Sequence, residues 1–405
     1  MREMKDSGVR WIGKIPTKWT IAKAKNCVEI QNGSDPKTEG SIPVYGSGSM
    51  SFKTCGEYKE GPSVLIGRKG ATLHIPHYIS SKFWNVDTAF NVYSKSIFDL
   101  KYYFYCAHVF DYTLYMSQTT LPSMTQTAYE NMFLPLPTKE EQYAIANQLD
   151  QICSKIDAVL EKTRASIEEY KKLKQAVITQ AVTKGVRGDR PMKDSGIEWI
   201  GDIPAEWKVN LIKNVATTGS GGTPESGNPS LYDGDINWIC SYDLKERPIT
   251  KSERRLTQLG ADSIAGNVQL KGSVLVAMYG GSGTIGNSGI LECEAKTNQA
   301  ICSIKFNNGY ITDYFGFYYI LSIRKYWMIF AVGTRKDPNI SQDIVRKMPC
   351  ILPPIAEQEE IVAYCNKACD QLDTLITKKQ QYLTEIENYK KSLIYEYVTG
   401  KKEVV

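Results

Sequence analysis

Two stretches of the chain place apolar residues at alternating intervals of three and four, one before position 185 and one before position 400. In the first stretch the apolar positions are Ile145, Leu149, Ile152, Ile156, Val159, Ile167, Tyr170, Leu173, Val177 and Ala181, with Thr163 as the polar exception. In the second they are Ile361, Cys365, Ala368, Leu372, Leu375, Leu383, Ile386, Tyr389, Leu393 and Tyr397, with Lys379 as the exception. A stripe kept over about six heptads predicts a long helix in a coiled coil. Since neither helix can bury its stripe alone, we expect the two to pack against each other, antiparallel.

Both helical stretches are bounded by residues that start and stop helices. Prolines precede each one, and Gly185 and Gly400 follow them. The two stretches align without a gap at an offset of 216 residues, so Glu141 and Gln142 match Glu357 and Gln358. The chain therefore contains an internal repeat.

A second repeat lies outside the helices. MKDSGVRWIGKIPTKW, residues 4–19, returns as MKDSGIEWIGDIPAEW, residues 192–207, with eleven of sixteen positions identical. Its tryptophans and isoleucines are apolar anchors, which Gly13 and Pro16 are expected to fold into a turn. We expect each copy, here called a junction motif, to pin a globular domain against the end of the helical pair. The first copy should then lie near residues 395–405.

Two unlike segments, about residues 17–135 and 205–350, separate these repeats. Short apolar runs between turn residues predict strands, and DLKYYFYCAHVF and ITDYFGFYYILSI each predict a helix. The segments resemble each other distantly, since SVL at positions 63 and 273 is followed in both by spaced glycines. In this alignment Gly67 and Gly70 correspond to Gly280 and Gly283.

The predicted fold class is α+β, with two mixed α/β domains separated by two long antiparallel coiled-coil helices in a pseudo-twofold internal repeat. The predicted limits are 1–135 for the first domain, 136–186 for the first helix, 187–350 for the second domain and 351–405 for the second helix. Each domain includes its junction motif.

Composition narrows the classes of function. The chain has 405 residues and a net charge of +5, which permits nucleic-acid binding without requiring it. No run of 18 apolar residues predicts a membrane span, and the first residues lack the apolar core of a signal peptide. Ten cysteines without CxxC pairs favour buried thiols in a reducing cytoplasm.

Motifs for catalysis are scarce. His74, His77 and His108 are the only histidines, and no HExxH or GxSxG pattern is present. GSGTIG at 281–286 matches a dinucleotide-binding pattern, but the residues after it do not open a helix, so we interpret it as a turn between strands. Residues 294–296, Glu-Ala-Lys, resemble the end of a metal-dependent nuclease motif without a convincing acidic partner. These observations favour a binding protein over an enzyme and a chain without a metal site.

The motifs together resemble those of a known family. MKDSGxxWIGxIPxxW opens each half, LPxPxxEEQxxIxxxLD or LPPxxEQxxI opens each long helix, and AVTKG or YVTGK ends it. In this order, and twice over, they are similar to the DNA specificity (S) subunit of type I restriction–modification enzymes. The resemblance implies that each variable segment is a target-recognition domain reading one half of a split site in double-stranded DNA. The helices would space these domains and dock two methyltransferase (modification) subunits, which restriction/translocase subunits join.

The resemblance also implies that this chain is not an enzyme and holds no cofactor. S-adenosylmethionine, ATP and Mg would belong to the partner subunits. Two alternatives stay open: a DNA enzyme with its own nuclease or methyltransferase centre, and a coiled-coil scaffold for proteins.

Loop position and residue type suggest which side chains would contact DNA. Cations between glycines suit phosphates, and hydroxyl, amide and phenol groups suit base edges. In the first domain the candidates are Tyr45, Ser47, Arg68, Lys69, Thr72, Gln118, Thr119 and Thr120. In the second they are Tyr279, Ser282, Thr284, Arg335 and Lys336. The Arg335 and Lys336 loop is expected to occupy the place that the loop around Thr119 has in the first domain.

Overall fold

A computed structural model describes residues 2–117, 122–280, 283–333 and 338–404. The chain forms two compact units, Met1–Ala165 with Lys379–Val405, and Ser166–Lys378. Grouped in this way by contacts, each unit holds one globular domain and parts of both long helices. This grouping differs from the four sequence segments 1–135, 136–186, 187–350 and 351–405, which remain a prediction.

The elements alternate as short strands and short helices, interrupted by two long helices. The strands before the first long helix are β1 (Met4–Asp6), β2 (Lys14–Pro16), β3 (Thr20–Lys23), β4 (Val28–Asn32), β5 (Ile42–Tyr45), β6 (Lys53–Cys55), β7 (Ser63–Gly67), β8 (His77–Ile79), β9 (Trp84–Asn85), β10 (Ala89–Ser94) and β11 (Phe133–Leu136). The strands after it are β12 (Met192–Asp194), β13 (Asp202–Pro204), β14 (Lys208–Leu211), β15 (Ala216–Ser220), β16 (Tyr232–Ile239), β17 (Pro248–Ile249), β18 (Arg255–Leu256), β19 (Val274–Ala277), β20 (Ser288–Leu291), β21 (Lys296–Thr297), β22 (Ile301–Phe306), β23 (Val332–Gly333), β24 (Pro338–Asn339) and β25 (Pro349–Leu352). The helices are α1 (Ala24–Cys27), α2 (Leu100–Val109), α3 (Gln126–Asn131), α4 (Lys139–Lys184), α5 (Ile212–Val215), α6 (Gln258–Asp262), α7 (Asp313–Ser322), α8 (Gln342–Lys347) and α9 (Ile355–Val398).

The two long helices, α4 and α9, end where the sequence predicts. Gly185 and Gly400 follow them with φ of 76° and 71°, in the left-handed conformation that closes a helix. α4 has 46 residues and α9 has 44, so each spans about 65–70 Å at 1.5 Å per residue.

Within each unit the segments of α4 and α9 run antiparallel. In the first unit Lys390 donates to Asp157 over 2.6 Å. In the second unit Lys174 donates to Asp373 over 2.7 Å, and these two ion pairs are the same pair under the 216-residue offset. Further along, Arg164 pairs with Glu387 in the first unit. Because higher positions on one helix meet lower positions on the other, the predicted antiparallel pairing is confirmed inside each unit.

The predicted apolar stripe is wrong at two positions in each helix. Val159 and Leu173 are 41% and 48% exposed, and their equivalents Leu375 and Tyr389 are 42% and 58% exposed. A strict seven-residue pattern drifts against the 3.6-residue turn of an α-helix, so neighbouring residues such as Leu160 take the buried position instead.

The domain of the first unit has two main sheets, beside the two-stranded pairs β1-β2 and β3-β11. The larger is antiparallel with strand order β4-β10-β7-β8, and the smaller has the order β6-β5-β9. In the smaller sheet, β5 pairs antiparallel with β6 and parallel with β9. The aromatic helix α2 packs on β7 and β8, and its residues belong to a continuous apolar core with the junction motif and the first part of α4.

The second domain repeats this plan with insertions. Its larger sheet has the order β15-β22-β19-β20-β17, so the edge strand β17 is added to the four equivalents. Its smaller sheet, β18-β16-β21, again combines an antiparallel and a parallel pairing. The predicted α+β class, with two mixed domains, two long helices and an internal repeat, is therefore confirmed.

One detail of the predicted alignment is wrong. Gly67 pairs with Ala89 in the first unit, and Ala277 pairs with Ile301 at the same register in the second. Gly67 thus corresponds to Ala277, and Gly70 to Gly280. Their φ values, 115° and 121°, are both in the region that favours glycine. Conformation and strand register agree with the offset of 210 residues between the two SVL runs, which also places Gly70 on Gly280.

The Glu-Gln pair at the start of each long helix links three parts of the unit. Trp19 donates from Nε1 to Glu141 over 3.1 Å, and Trp207 donates in the same way to Glu357 over 3.0 Å. Each glutamate therefore holds the last tryptophan of a junction motif. Since both tryptophan rings are buried, the indole N–H needs an acceptor there.

The adjacent glutamines hydrogen-bond to the backbone of the domains. Gln142 accepts from the backbone N–H of Asp99 over 2.7 Å, and Gln358 accepts from that of Thr312 over 2.8 Å. Asp99 and Thr312 are the residues before α2 and α7. Each glutamine is fully buried, so it fixes the start of a long helix to the start of its domain's aromatic helix.

The aromatic helices add a second link to the long helices. Tyr105 of α2 donates to Asp150 of α4 over 2.7 Å. The equivalent Tyr318 of α7 donates to Asn366 of α9 over 2.6 Å. The acceptor is a carboxylate in the first unit and an amide in the second, but the hydrogen bond joins equivalent positions in both.

The first junction motif lies against the C-terminal end of α9. Tyr395 donates to the carbonyl of Ile12 over 3.1 Å, and Lys401 donates to the same carbonyl over 3.3 Å. A Cβ at Gly400 would come within 2.5 Å of Pro16. The expected contact between residues 4–19 and residues 395–405 is confirmed.

The two junction glutamates differ in their surroundings, which gives a test. Glu357 is fully buried and pairs over 2.5 Å with Arg190, whose side chain is 12% exposed, whereas Glu141 and its partner Arg2 are 31% and 37% exposed. We expect Glu357→Ala to lower the free energy of unfolding by about 3 kcal/mol, because the buried Trp207 indole loses its acceptor and Arg190 keeps only the half-exposed Glu206 as a carboxylate partner.

The matched variant Glu141→Ala should cost about 1 kcal/mol, since water can solvate Arg2. Urea unfolding followed by tryptophan fluorescence measures both. Equal losses for the two variants would contradict this account.

Candidate nucleic-acid interface

The turn that follows β7 brings most of the described first-domain candidates together. The backbone N–H of Arg68 donates to Thr88 over 2.8 Å, and its carbonyl accepts from Met124 over 2.9 Å. Beyond it, the hydroxyls of Thr72 and Ser47 are 3.1 Å apart, which joins this turn to the loop after β5. Arg68, Lys69, Thr72 and Ser47 therefore belong to one edge of the domain.

The two cations of this turn are placed differently. Arg68 is half-buried, with its guanidinium 5.9 Å from the ring centroid of Phe90 and 3.4 Å from the carbonyl of Asp87. Lys69 is exposed. Lys69 is thus the better placed of the two to reach a phosphate.

The side chain of Tyr45 packs against the domain beneath the turn and does not project into solvent. Its ring is half-buried against the cluster of Leu65, Ile79 and Phe83, and lies 5.4 Å from the ring of His77. Burial lowers the pKa of His77, so this contact involves the neutral imidazole at ordinary pH.

The second unit repeats the geometry with other side chains. Met278, at the position of Arg68, donates to Ala300 over 2.7 Å, and its carbonyl accepts from Ile340 over 2.8 Å. The next residue, Tyr279, forms a bridge with Asn339, as Lys69 does with Ser123. Lys69 and Tyr279 therefore occupy equivalent positions.

Tyr279 and Thr284 flank the second turn. Tyr279 is half-buried, and desolvation raises the pKa of its hydroxyl, which is therefore a neutral donor and acceptor. A Cβ on Gly280 would lie 3.1 Å from the Thr284 side chain, so only glycine leaves this turn undisturbed.

The remaining candidates lie outside the described residues: Gln118, Thr119, Thr120, Ser282, Arg335 and Lys336. The residues on either side of their loops are described. Ser117 pairs with Ser123 in the first unit, and β23 pairs with β24 in the second. In both units the residues after the loop include the one whose backbone N–H donates to the turn, Met124 in the first unit and Ile340 in the second. The predicted correspondence of the two loops is thus supported by their flanks.

A basic groove that sequence reasoning missed adjoins the second turn. It has a volume of about 620 Å³ and runs between the turn, at Gly283, and the part of α4 in the same unit. Its basic lining residues are Lys171, Lys172, Lys174, Lys245, Arg324 and Lys325, against Glu168, Glu246 and Asp373. These cations are scattered along the sequence without flanking glycines, so no local pattern predicts them. Three of them pair with the acids of the groove, Lys171 with Glu168, Lys174 with Asp373 and Arg324 with Glu246, and the others leave the lining with a net positive charge.

The motifs that suggested chemistry have structural roles where the structure describes them. The residues after the GSGTIG pattern form β20, antiparallel to β19, so the interpretation as a turn between strands is confirmed. Lys296, from the nuclease-like Glu-Ala-Lys, is 8% exposed and donates to the carbonyl of Gly266 over 2.6 Å. Within the described ranges, no three His, Cys, Asp or Glu side chains converge on a possible metal position.

The cysteines are free, and all except the half-buried Cys293 are buried. Desolvation raises the pKa of the Cys27 thiol to about 11 and that of Cys365 to about 12, so these thiols are protonated and unreactive. The predicted buried thiols are confirmed. No helix in the described part of the chain is long and apolar enough to cross a membrane.

Comparison with known proteins identifies the family. A family model described as "Type I restriction modification DNA specificity domain" matches residues 16–169 and 204–388. The two matched ranges each contain one domain and much of the helix after it. The chain therefore belongs to the family of type I restriction–modification DNA specificity proteins, and the resemblance inferred from its motifs is confirmed.

Curated relatives carry corresponding names. The "Type I restriction enzyme MjaVIII specificity subunit" of Methanocaldococcus jannaschii is 26% identical over 299 residues, covering 71% of this chain and 66% of that protein. The match thus spans just under two thirds of that relative. The "Type I restriction enzyme EcoBI specificity subunit" of Escherichia coli is 20% identical over 99% of this chain and 90% of that protein.

A solved structure has a similar fold. A chain from a structure described as "Structural basis underlying complex assembly and conformational transition of the type I R-M system" covers 96% of this chain and 99% of itself, with a TM-score of 0.71. At 13% identity, this likeness shows the fold alone.

Proposed function

We propose that this chain is the non-catalytic specificity subunit of a type I restriction–modification complex and that each unit reads one half of a split target in double-stranded DNA. One observation carries the proposal: the residues that lead into and hold the turn have the same backbone contacts in both units but unlike side chains. Lys69, a cation, stands where the second unit has Tyr279, a neutral phenol. A shared backbone arrangement that presents different side chains suits the recognition of two different short DNA sequences.

The exposed apolar positions of the long helices support docking of two methyltransferase subunits. Val159 and Tyr389 are exposed in the first unit, and the equivalent Leu375 and Leu173 in the second. From the register of the ion pairs, the two positions of each set lie at about the same level along the paired helices. Because large apolar side chains are exposed at equivalent positions in the two units, each unit can bind one copy of the same partner there.

The chemistry of modification and cleavage would belong to partners. In this proposal S-adenosylmethionine is held by the methyltransferase subunits, and ATP and Mg by the restriction/translocase subunits. The complex works on DNA in the cytoplasm, and this chain supplies target choice alone.

Exchange of one domain tests the reading of half-sites. Replacing residues 205–350 by the corresponding domain of a relative should change the bases preferred in one half of the target and leave the other half and the spacing unchanged. Selection of bound duplexes from a random pool by the assembled complex, followed by sequencing, measures this. A change in both halves, or in neither, would contradict one domain per half-site.

The docking proposal predicts a stepwise loss of partners. Val159→Asp with Tyr389→Asp should reduce the bound methyltransferase subunits from two to one, because a buried, unpaired charge is costly at an interface. Adding Leu173→Asp and Leu375→Asp should reduce them to none. Native mass spectrometry gives the stoichiometry, and Val159→Ile with Tyr389→Phe is the matched control that should keep two. Two bound partners in all variants would rule this surface out.

A further inference from the structure

In each unit, the strands of the smaller sheet are joined by a loop that resembles its counterpart in position but not in sequence. In the first unit residues 46–52 connect β5 to β6, and in the second residues 240–254 connect β16 to β18. The parallel pairings of Val44 with Trp84 and of Trp238 with Lys296 align the two strands that enter these loops. We call them the first and second connecting loops.

Both connecting loops present an exposed aromatic ring with a cation near it. Phe52 is 60% exposed, and Lys53 Nζ lies 5.5 Å from its ring centroid. Tyr242 is 43% exposed, with the Arg254 guanidinium 5.7 Å from its ring. Lys53 pairs with Val44, and Arg254 accepts from the equivalent Trp238. The two cations thus stand at the same register position.

The first loop carries a second exposed apolar side chain. Met50, at 81% exposed, is two residues from Phe52. Single exposed apolar residues are ordinary, but two large ones within three positions mark a surface that another molecule covers.

Each connecting loop lies beside the turn already identified. Ser47 of the first loop contacts Thr72 over 3.1 Å. In the second loop the backbone N–H of Glu246 donates over 2.8 Å to Ser288, the first residue after the turn. Lys245 and Glu246 also line the basic groove with Gly283. A molecule that contacts the turn is therefore within reach of the connecting loop.

Charge identifies the class of that molecule. Two of the three acidic side chains of the second loop are engaged by the protein: Asp243 accepts from the Cys240 N–H over 2.8 Å, and Glu246 pairs with Arg324. The third, Glu253, is exposed and lies 3.7 Å from Lys245. Exposed cations outnumber it around a pocket of about 710 Å³ in and beside the loop: Lys245, Arg247, Lys251 and Arg255. Exposed rings among cations suit a polyanion with flat, stackable groups, which describes DNA better than a protein.

We propose that the connecting loops are a second DNA-contacting element, in which Phe52, with Met50, and Tyr242 touch the bases while Lys53 and Arg254 contact phosphates. This inference rests on the proposed function and deepens it, since it assigns base contact to residues outside the turns. Apolar and aromatic side chains at a base step read methyl groups or wedge between bases.

The test separates ring contact from charge. The full chain, assembled with its methyltransferase subunits, is titrated with a duplex that carries the split motif modified in cells containing this gene. Phe52→Ala should weaken binding about tenfold and leave the slope of log K against log salt unchanged, since it releases no counterion. Lys53→Ala should instead reduce that slope by about 1. Phe52→Trp, which keeps a ring, should retain affinity.

A matched control is available in the same domain. Tyr58 is 51% exposed and has Lys82 Nζ 3.9 Å from its ring centroid, but it follows β6 at the end of the sheet away from the first loop. Tyr58→Ala should bind as the unchanged chain does. Phe52 is largely exposed, so a normal thermal unfolding midpoint is expected for Phe52→Ala and excludes misfolding.

The outcomes distinguish the two proposals. If the unchanged complex binds the duplex and Phe52→Ala and Tyr242→Ala bind equally well, the connecting loops are not DNA contacts and the proposed function stands. If Tyr58→Ala weakens binding as much as Phe52→Ala, the assignment to these loops is also overturned. If the unchanged complex binds no such duplex, the proposed function fails together with this inference.

Discussion

The Glu-Gln pair at the start of each long helix is the interaction on which each unit depends. The glutamate accepts from the indole N–H of the junction tryptophan, and the glutamine accepts from the backbone N–H that opens the domain's aromatic helix. Three parts of the unit thus meet at two adjacent side chains. Because both glutamines and both tryptophan rings are buried, a shift of any part breaks a hydrogen bond of a buried group.

A rigid frame of this kind permits the rest of the domain to vary. The strand order of the larger sheet, the positive φ of Gly70 and Gly280, and the bridges made by Lys69 and Tyr279 are common to both units. The side chains that the frame presents are not. In the proposed function, target choice changes by substitution at the turns and connecting loops while the core and the junctions are preserved.

Several parts of this structure are predictable from the sequence, because they depend on local patterns. Apolar periodicity, prolines and glycines locate α4 and α9, and the doubled motif predicts the contact of Ile12 with the end of α9. Other features depend on pairing between distant residues. The basic groove, for example, brings Lys171 and Lys172 of α4 beside Arg324, which is far away in the sequence. The role proposed for the connecting-loop rings depends on their position beside the turns, and no local sequence pattern predicts that position.

Sequencing the modified bases in the DNA of cells with and without this gene tests the central claim most directly. The account predicts a modified motif in two short parts, separated by a fixed number of unspecified bases, that disappears when the gene is deleted. An unchanged pattern of modification, in cells that keep active methyltransferase subunits, would contradict it, as would the loss of a single uninterrupted motif.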